Sequence, residues 1–198
     1  MDPQPAFTRA DPDERRQSLI EATARVLAER GAAGISVRTI CAEAGVSPGL
    51  LRHYFSGVSE AIAETYRWIG ATIGDALNDA VAGAGDDPRE QLLAYLTASF
   101  RPPIASPDLL ASYVAFWSLT RSDAAVAGVR AENYADFREG LEARIRDYRP
   151  DLADVRLPAI ALTALIDGLW LELSLGDAPF TPEEAEALAE QWLDGLLG

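Results

Sequence analysis

Between Val37 and Phe55 the chain carries the signals for two short helices, set so close together that only a tight turn fits between them. Ser36 stands where an N-cap of Val37-Arg38-Thr39-Ile40-Cys41-Ala42-Glu43 is needed, with Ile35 and Ile40 placed to pack across that cap as a hydrophobic staple. Ser47 holds the same position before a second helix, with Pro48 at its first residue and Val46 and Leu51 as its staple. Gly45 falls where the reversal needs a residue that tolerates positive φ. The pattern predicts a helix-turn-helix, whose second helix can lie in a DNA major groove.

Charge at first argues against nucleic acid, because the net formal charge of the 198 residues is -14. The acidity is unevenly placed. Residues 1–60 carry 7 Arg and 8 acidic residues, whereas residues 61–198 carry 10 Arg and 23 acidic residues. Within 14–55 there are 6 Arg and 4 acidic residues, so the motif is the one basic region of an acidic molecule.

Residue types exclude several chemistries. All 17 basic residues are Arg, so there is no lysine for a P-loop, a Schiff base or a nucleophile. One Cys excludes an internal disulfide, and Cys41 sits where a small buried side chain is expected rather than a redox group. One His, His53, excludes a His-cluster metal site. No cofactor, metal or catalytic residue is expected. The N-terminus lacks the regions of a signal peptide, and the longest uncharged run seen in the second part, Leu109 to Thr120, is too short to cross a bilayer. A soluble, cytoplasmic protein without a membrane partner is the expectation.

Helical spacing continues along the chain. A first helix is expected from about Asp13 to Arg30, stopped by Gly31, and a long one carries the stripe Ile62, Tyr66, Ile69, Ile73, Leu77 and Ala80. Asp87-Pro88 and Ser106-Pro107 start two more, and a further helix is read from near Ser122 to Pro150. Residues 157–175 are apolar on nearly every side and must be covered on both faces. Thr181-Pro182-Glu183-Glu184 is a capping box for the last helix. The fold class is all-α, about nine helices, with an N-terminal arm and head at residues 1–57 and a larger body at 58–198. Asp2-Pro3-Gln4-Pro5 and the Gly83-Ala84-Gly85 linker have the composition of disordered segments.

On the motif, Arg52 and His53 occupy the middle of the second helix, where side chains reach base edges or phosphates; a solvated helix surface is the alternative. Ser36, Arg38, Ser47, Pro48 and Gly49 lie where hydroxyl, guanidinium and backbone groups position a helix on phosphates.

From Ala22-Thr23-Ala24-Arg25-Val26-Leu27-Ala28-Glu29-Arg30-Gly31 through Tyr54-Phe55 the chain resembles the tetracycline-repressor (TetR) family. Ala164-Leu165-Ile166-Asp167-Gly168-Leu169-Trp170-Leu171 and Ala115-Phe116-Trp117 resemble its choline-responsive betaine-pathway subgroup. The resemblance implies that Tyr54 hydrogen-bonds phosphate, although a half-buried core tyrosine is also compatible. Where the family usually has Lys at the start of the fourth helix this chain has Val58, and Arg9, Arg15 and Arg16 are the candidates to compensate as an N-terminal arm, with a solvated helix face as the alternative. It places Tyr113, Phe116, Trp117, Tyr134, Phe137 and Trp170 on helices that enclose a ligand pocket, where rings around Asp167 could hold a cation. Ordinary packing with Asp167 hydrogen-bonded is the other reading. It further implies that the last two helices of two chains form a four-helix homodimer interface containing Leu165, Leu169, Leu188, Trp192 and Leu196.

The expected function is therefore a sequence-specific regulator on a pseudo-palindromic duplex operator, a repressor released by a small-molecule effector that could be cationic. A regulator without effector, whose body serves dimerisation or a protein partner, and an all-helical enzyme are the alternatives.

Overall fold

The computed structural model describes residues 12–198, and among them nine α-helices and no strand are found. Arg9 and the expected Asp2–Pro5 segment lie outside the described residues. Helix α1 spans Pro12–Arg30, α2 Val37–Ala44, α3 Pro48–Tyr54 and α4 Val58–Gly83. They are followed by α5 Pro88–Thr97, α6 Pro107–Leu119, α7 Ala124–Tyr148, α8 Arg156–Leu175 and α9 Pro182–Leu197.

Local chemistry accounts for most of these boundaries. Ser36 accepts from the Thr39 amide while the Thr39 hydroxyl accepts from the Ser36 amide, a reciprocal box that uses Thr at the third position. Gly45 closes α2 at φ 65°, a left-handed conformation that a side chain would strain. Asp87 accepts from Arg89 and Glu90, and Asp123 from Ala125 and Val126, so Asp123 rather than Ser122 starts α7. Thr181 and Glu184 form the expected box. Ser47 and Ser106 adopt cap geometry without a side-chain hydrogen bond, and Pro48 and Pro107 at the next position limit the amides left to satisfy.

Two apolar clusters make up the core. A small one joins Leu19 and Ile20 of α1, Ile40 and Cys41 of α2, Leu51 of α3, Phe55 just after α3, and Ala61 of α4. A larger one begins with Leu27 and fills the space among α4, α5, α6, α7, α8 and α9. Helix α1 thus belongs to both, its N-terminal half to the head and Leu27 to the body, and it packs on α2, α4 and α6.

Helix α8 corrects one expectation and bears on another. With Asp167 and Glu172 its only acids, it is long and apolar enough to cross a membrane by length and composition, with mean hydropathy 1.4, a property that counting uninterrupted uncharged runs misses. Within the single chain only one of its faces is covered. Leu162, Ile166 and Leu169 face the core, while Leu157, Ile160, Leu171 and Leu175 are exposed at 57%, 41%, 40% and 65%. Because the helix is apolar nearly all round, its sequence could not tell which stripe faces inward.

Leu27→Ala is expected to lower unfolding stability by about 2–5 kcal/mol, because it opens a cavity where α1 meets the body. Urea denaturation measures it, and a loss well below that range would place α1 outside the body's core.

Candidate nucleic-acid interface and ligand cavity

Helix α3 is held from below by Leu51, fully buried, and by Phe55, 2% exposed, which closes the small core just after the helix. Ser47, Pro48, Gly49, Arg52 and His53 are then left exposed on its outer side. Arg38 on α2 is exposed as well, whereas Ser36 is half-buried with its hydroxyl engaged in the cap. Neither Arg38 nor Arg52 has an ion-pair partner among the described residues. His53 packs edge-on to Tyr54 at 5.0 Å between ring centroids, and Tyr54 is half-buried against the head core. Burial raises the Cys41 thiol, partly offset by the nearby Arg52, which suits a packed sulfur under the motif.

Val58 is half-buried and packs against both apolar clusters, so the position gives no phosphate contact. Arg16 is engaged within the chain. Its guanidinium is bound by Glu64 and lies over the Phe55 ring at 5.4 Å from the centroid. Glu64 also takes Arg67 of α4, and Arg67 reaches Glu132 of α7 at 3.5 Å. A chain of charges thus runs from the end of α3 through Arg16 and Glu64 to Arg67.

Arg67 lines a cavity of about 520 Å³ enclosed by α4, α5, α6, α7 and α8, within the size range of small-molecule sites. Of the residues expected there, Tyr113, Tyr134, Phe137, Asp167 and Trp170 line it. Phe116 and Trp117 do not. Phe116 is fully buried, stacked on Tyr66 at 4.3 Å, and Trp117 packs edge-on to Tyr113 from outside the cavity wall. They lie one turn beyond Tyr113 along the same side of α6, and that next turn packs into the core instead of lining the cavity.

The Tyr134 hydroxyl donates to Asp167 Oδ1 at 2.9 Å, and Trp170 Nε1 donates to the Ser99 carbonyl at 2.6 Å. Burial pushes the Tyr66 and Tyr95 hydroxyls up to about 12. The faces of two rings are already taken by protein cations: Arg130 lies 4.1 Å from the centroid of Tyr134, and Arg144 lies 4.2 Å from that of Tyr95. A ligand cation would have to displace them to use those faces. Sequence reasoning missed Arg67, Tyr95, Asn78 and Arg144. The α7 spacing held one signal, since Tyr134, Phe137, Gly140 and Arg144 recur every three or four residues on one helix face.

A model of the C-terminal region of BetI-type transcriptional repressors matches residues 88–198, and one of bacterial regulatory proteins of the tetR family matches residues 19–59. The chain belongs to the TetR family. Its C-terminal half is of the BetI type. The HTH-type transcriptional regulator BetI of Burkholderia cenocepacia (strain HI2424) is 32% identical over 183 residues, covering 92% of this chain and 94% of that one. Among solved structures, a putative transcriptional regulator from Pseudomonas aeruginosa PAO1 is 39% identical with TM-score 0.87, covering 97% of this chain and 94% of the other. A putative regulator from Saccharomonospora viridis, in complex with choline, shares the fold at TM-score 0.78 and 20% identity, covering 92% of this chain and 96% of its own. This TetR-family protein is a DNA-binding transcriptional regulator and not an enzyme.

Asp167 yields a pH-dependent expectation. Burial raises its carboxyl above the usual range, against the lowering effects of the Tyr134 hydrogen bond, Arg130 and Arg138. The folded state therefore holds this proton more tightly than the unfolded chain, so its contribution to stability falls as pH rises from the ordinary Asp range through the raised value. Asp167→Asn keeps an oxygen for the Tyr134 hydroxyl and removes the charge. Its thermal midpoint should exceed that of the wild type at neutral pH, with the gap narrowing as pH falls into the carboxylate range. A gap independent of pH would contradict the shift.

Proposed function

We propose that the regulator acts as a homodimer that places two copies of α3 on a pseudo-palindromic operator and leaves it when a small molecule enters the body cavity. The carrying observation is the charge chain itself: Arg67 lines the cavity, and through Glu64 it shares a carboxylate with Arg16, which lies on Phe55 beneath α3. A ligand that displaces Arg67 weakens one of the two holds on Glu64 and changes how α1 is tied to α4. Release requires that the ligand bind the free conformation more tightly than the operator-bound one.

In this reading Arg52 and His53 contact bases or phosphates, Ser47, Pro48, Gly49, Arg38 and Tyr54 seat the helix, and Ser36 acts through the cap of α2. Dimerisation is supported by the exposed apolar stripe Leu157, Ile160, Leu171 and Leu175 of α8, beside Trp192 and Leu196 of α9, which are 51% and 37% exposed. A patch of this kind on a soluble domain marks a protein contact. Leu165, Leu169 and Leu188 pack toward the chain's own core, so the proposed interface is turned from the one expected from sequence. Tyr113, Tyr134, Phe137, Asp167 and Trp170 form the ligand wall in this reading.

Arg52→Ala should weaken specific operator binding by about 1–3 kcal/mol if it makes a bidentate base contact, measured by gel shift on the region upstream of its own gene. Unchanged affinity and selectivity in both Arg52→Ala and His53→Ala would reject α3 as the reading helix. Trp192→Asp should shift sedimentation from dimer to monomer, because it sets a charge in an apolar contact. A wild type that sediments as a monomer at micromolar concentration would overturn the dimer.

A further inference from the structure

Two guanidiniums line the body cavity, and they differ in one respect. Arg67 is paired with Glu64 and Glu132. Arg144 has no carboxylate within ion-pair distance among the described residues, although Asp136 is close enough to act on the same tyrosine, Tyr95. The Arg144 side chain is nevertheless held in place. Its Nη1 donates to the Gly140 carbonyl at 2.9 Å, its Nη2 to Asn78 Oδ1 at 3.3 Å, and its plane lies over the Tyr95 ring. Its Nε is buried and has no acceptor. Gly140 belongs to the same arrangement, since a Cβ there would come within 2.5 Å of the Tyr95 hydroxyl and 3.4 Å of Arg144 Nη1.

A positioned guanidinium with an unmet Nε donor and no carboxylate within ion-pair distance among the described residues is suited to a side-on, two-point hydrogen bond with a carboxylate. The remaining wall sets the rest of the ligand. Tyr134 and Arg144 are ten residues apart on α7, and both line the cavity, so it extends roughly 15 Å along that helix. Apolar surfaces from Leu77, Ile104, Phe137 and Ile166 share the wall with the carboxylates of Asp75, Glu132 and Asp136, which disfavour a second anionic group on the ligand. At the Tyr134 end Asp167 is already hydrogen-bonded, with Arg130 and Arg138 nearby, so that end has less need of a ligand cation than Arg144 has of an anion.

We propose that Arg144 anchors a carboxylate in this cavity, so that the effector is an elongated, largely apolar monocarboxylate. The inference rests on the reading of the cavity as the effector site and names the ligand class for it.

Calorimetric titration of the full-length protein with octanoate, octanamide and octyltrimethylammonium tests it. Octanoate is expected to bind at least tenfold more tightly than the amide. Arg144→Gln should bring octanoate down to the amide's level, Arg144→Lys should restore part of the preference, and Arg146→Gln, an exposed guanidinium two residues on, should leave it unchanged. A wild type that binds the amide or the ammonium as well as octanoate overturns the carboxylate anchor while leaving the cavity as an effector site. Octanoate preference that survives Arg144→Gln overturns it too. If none of the three binds, the effector reading and this inference fail together.

Discussion

The reading head cannot close its own core. Its apolar cluster holds only a handful of side chains from α1, α2 and α3 with Phe55, and it is completed by Ala61 from the first turn of α4. A core of that size contributes little stability by itself. The head therefore takes its orientation from α4. Thr65 reinforces this by donating to the carbonyl of Ile20 on α1 at 3.3 Å as well as to its own helix. Helix α4 in turn supplies eight residues of the cavity wall, from Arg67 to Asn78. Movement of one helix can reach both places, and the fold needs no separate device to connect them.

The charge distribution follows from the same arrangement. Acidic residues gather in the body, where they pair across helices: Arg89 of α5 with Glu190 and Asp194 of α9, and Arg101 with Glu186. Most of these pairs are well exposed, so individually they add little to stability and mainly fix how α9 lies on α5. The outer side of α2 and α3 keeps unpaired arginines instead. An acidic chain with such a face is attracted to DNA in one orientation and repelled in others, which narrows the ways it can dock.

How much of this was legible in the sequence depended on how local the cause was. The turn at Gly45, the caps at Ser36, Asp87 and Thr181, and the inward set Leu51 and Phe55 follow from residues close along the chain. The helix count and class were legible for the same reason. Cavity residues were only partly legible, because Phe116 and Trp117 carry the same aromatic signal as Tyr113 on the same side of α6 and differ only in standing one turn further along it, outside the cavity lining. Helix α8 shows the limit most clearly: Leu169 and Leu171 are equally apolar, yet one is buried and the other exposed. Nothing local in the sequence marks Arg16 or Arg144 for its role, which depends on packing that brings Glu64 to the first and Tyr95 to the second.

Of the ties between the head and the cavity helix, the one that reaches a cavity residue is the Glu64 carboxylate shared by Arg16 and Arg67. A double-mutant cycle on Arg16 and Glu64, read as operator affinity by fluorescence anisotropy, measures that tie. Arg16→Gln and Glu64→Gln should each shift affinity by a few-fold in the same direction, and the double variant should shift it no further than the larger single change. Single effects that simply add, or variants that bind operator as the wild type does, would show that α3 is set without Glu64 and would contradict the account.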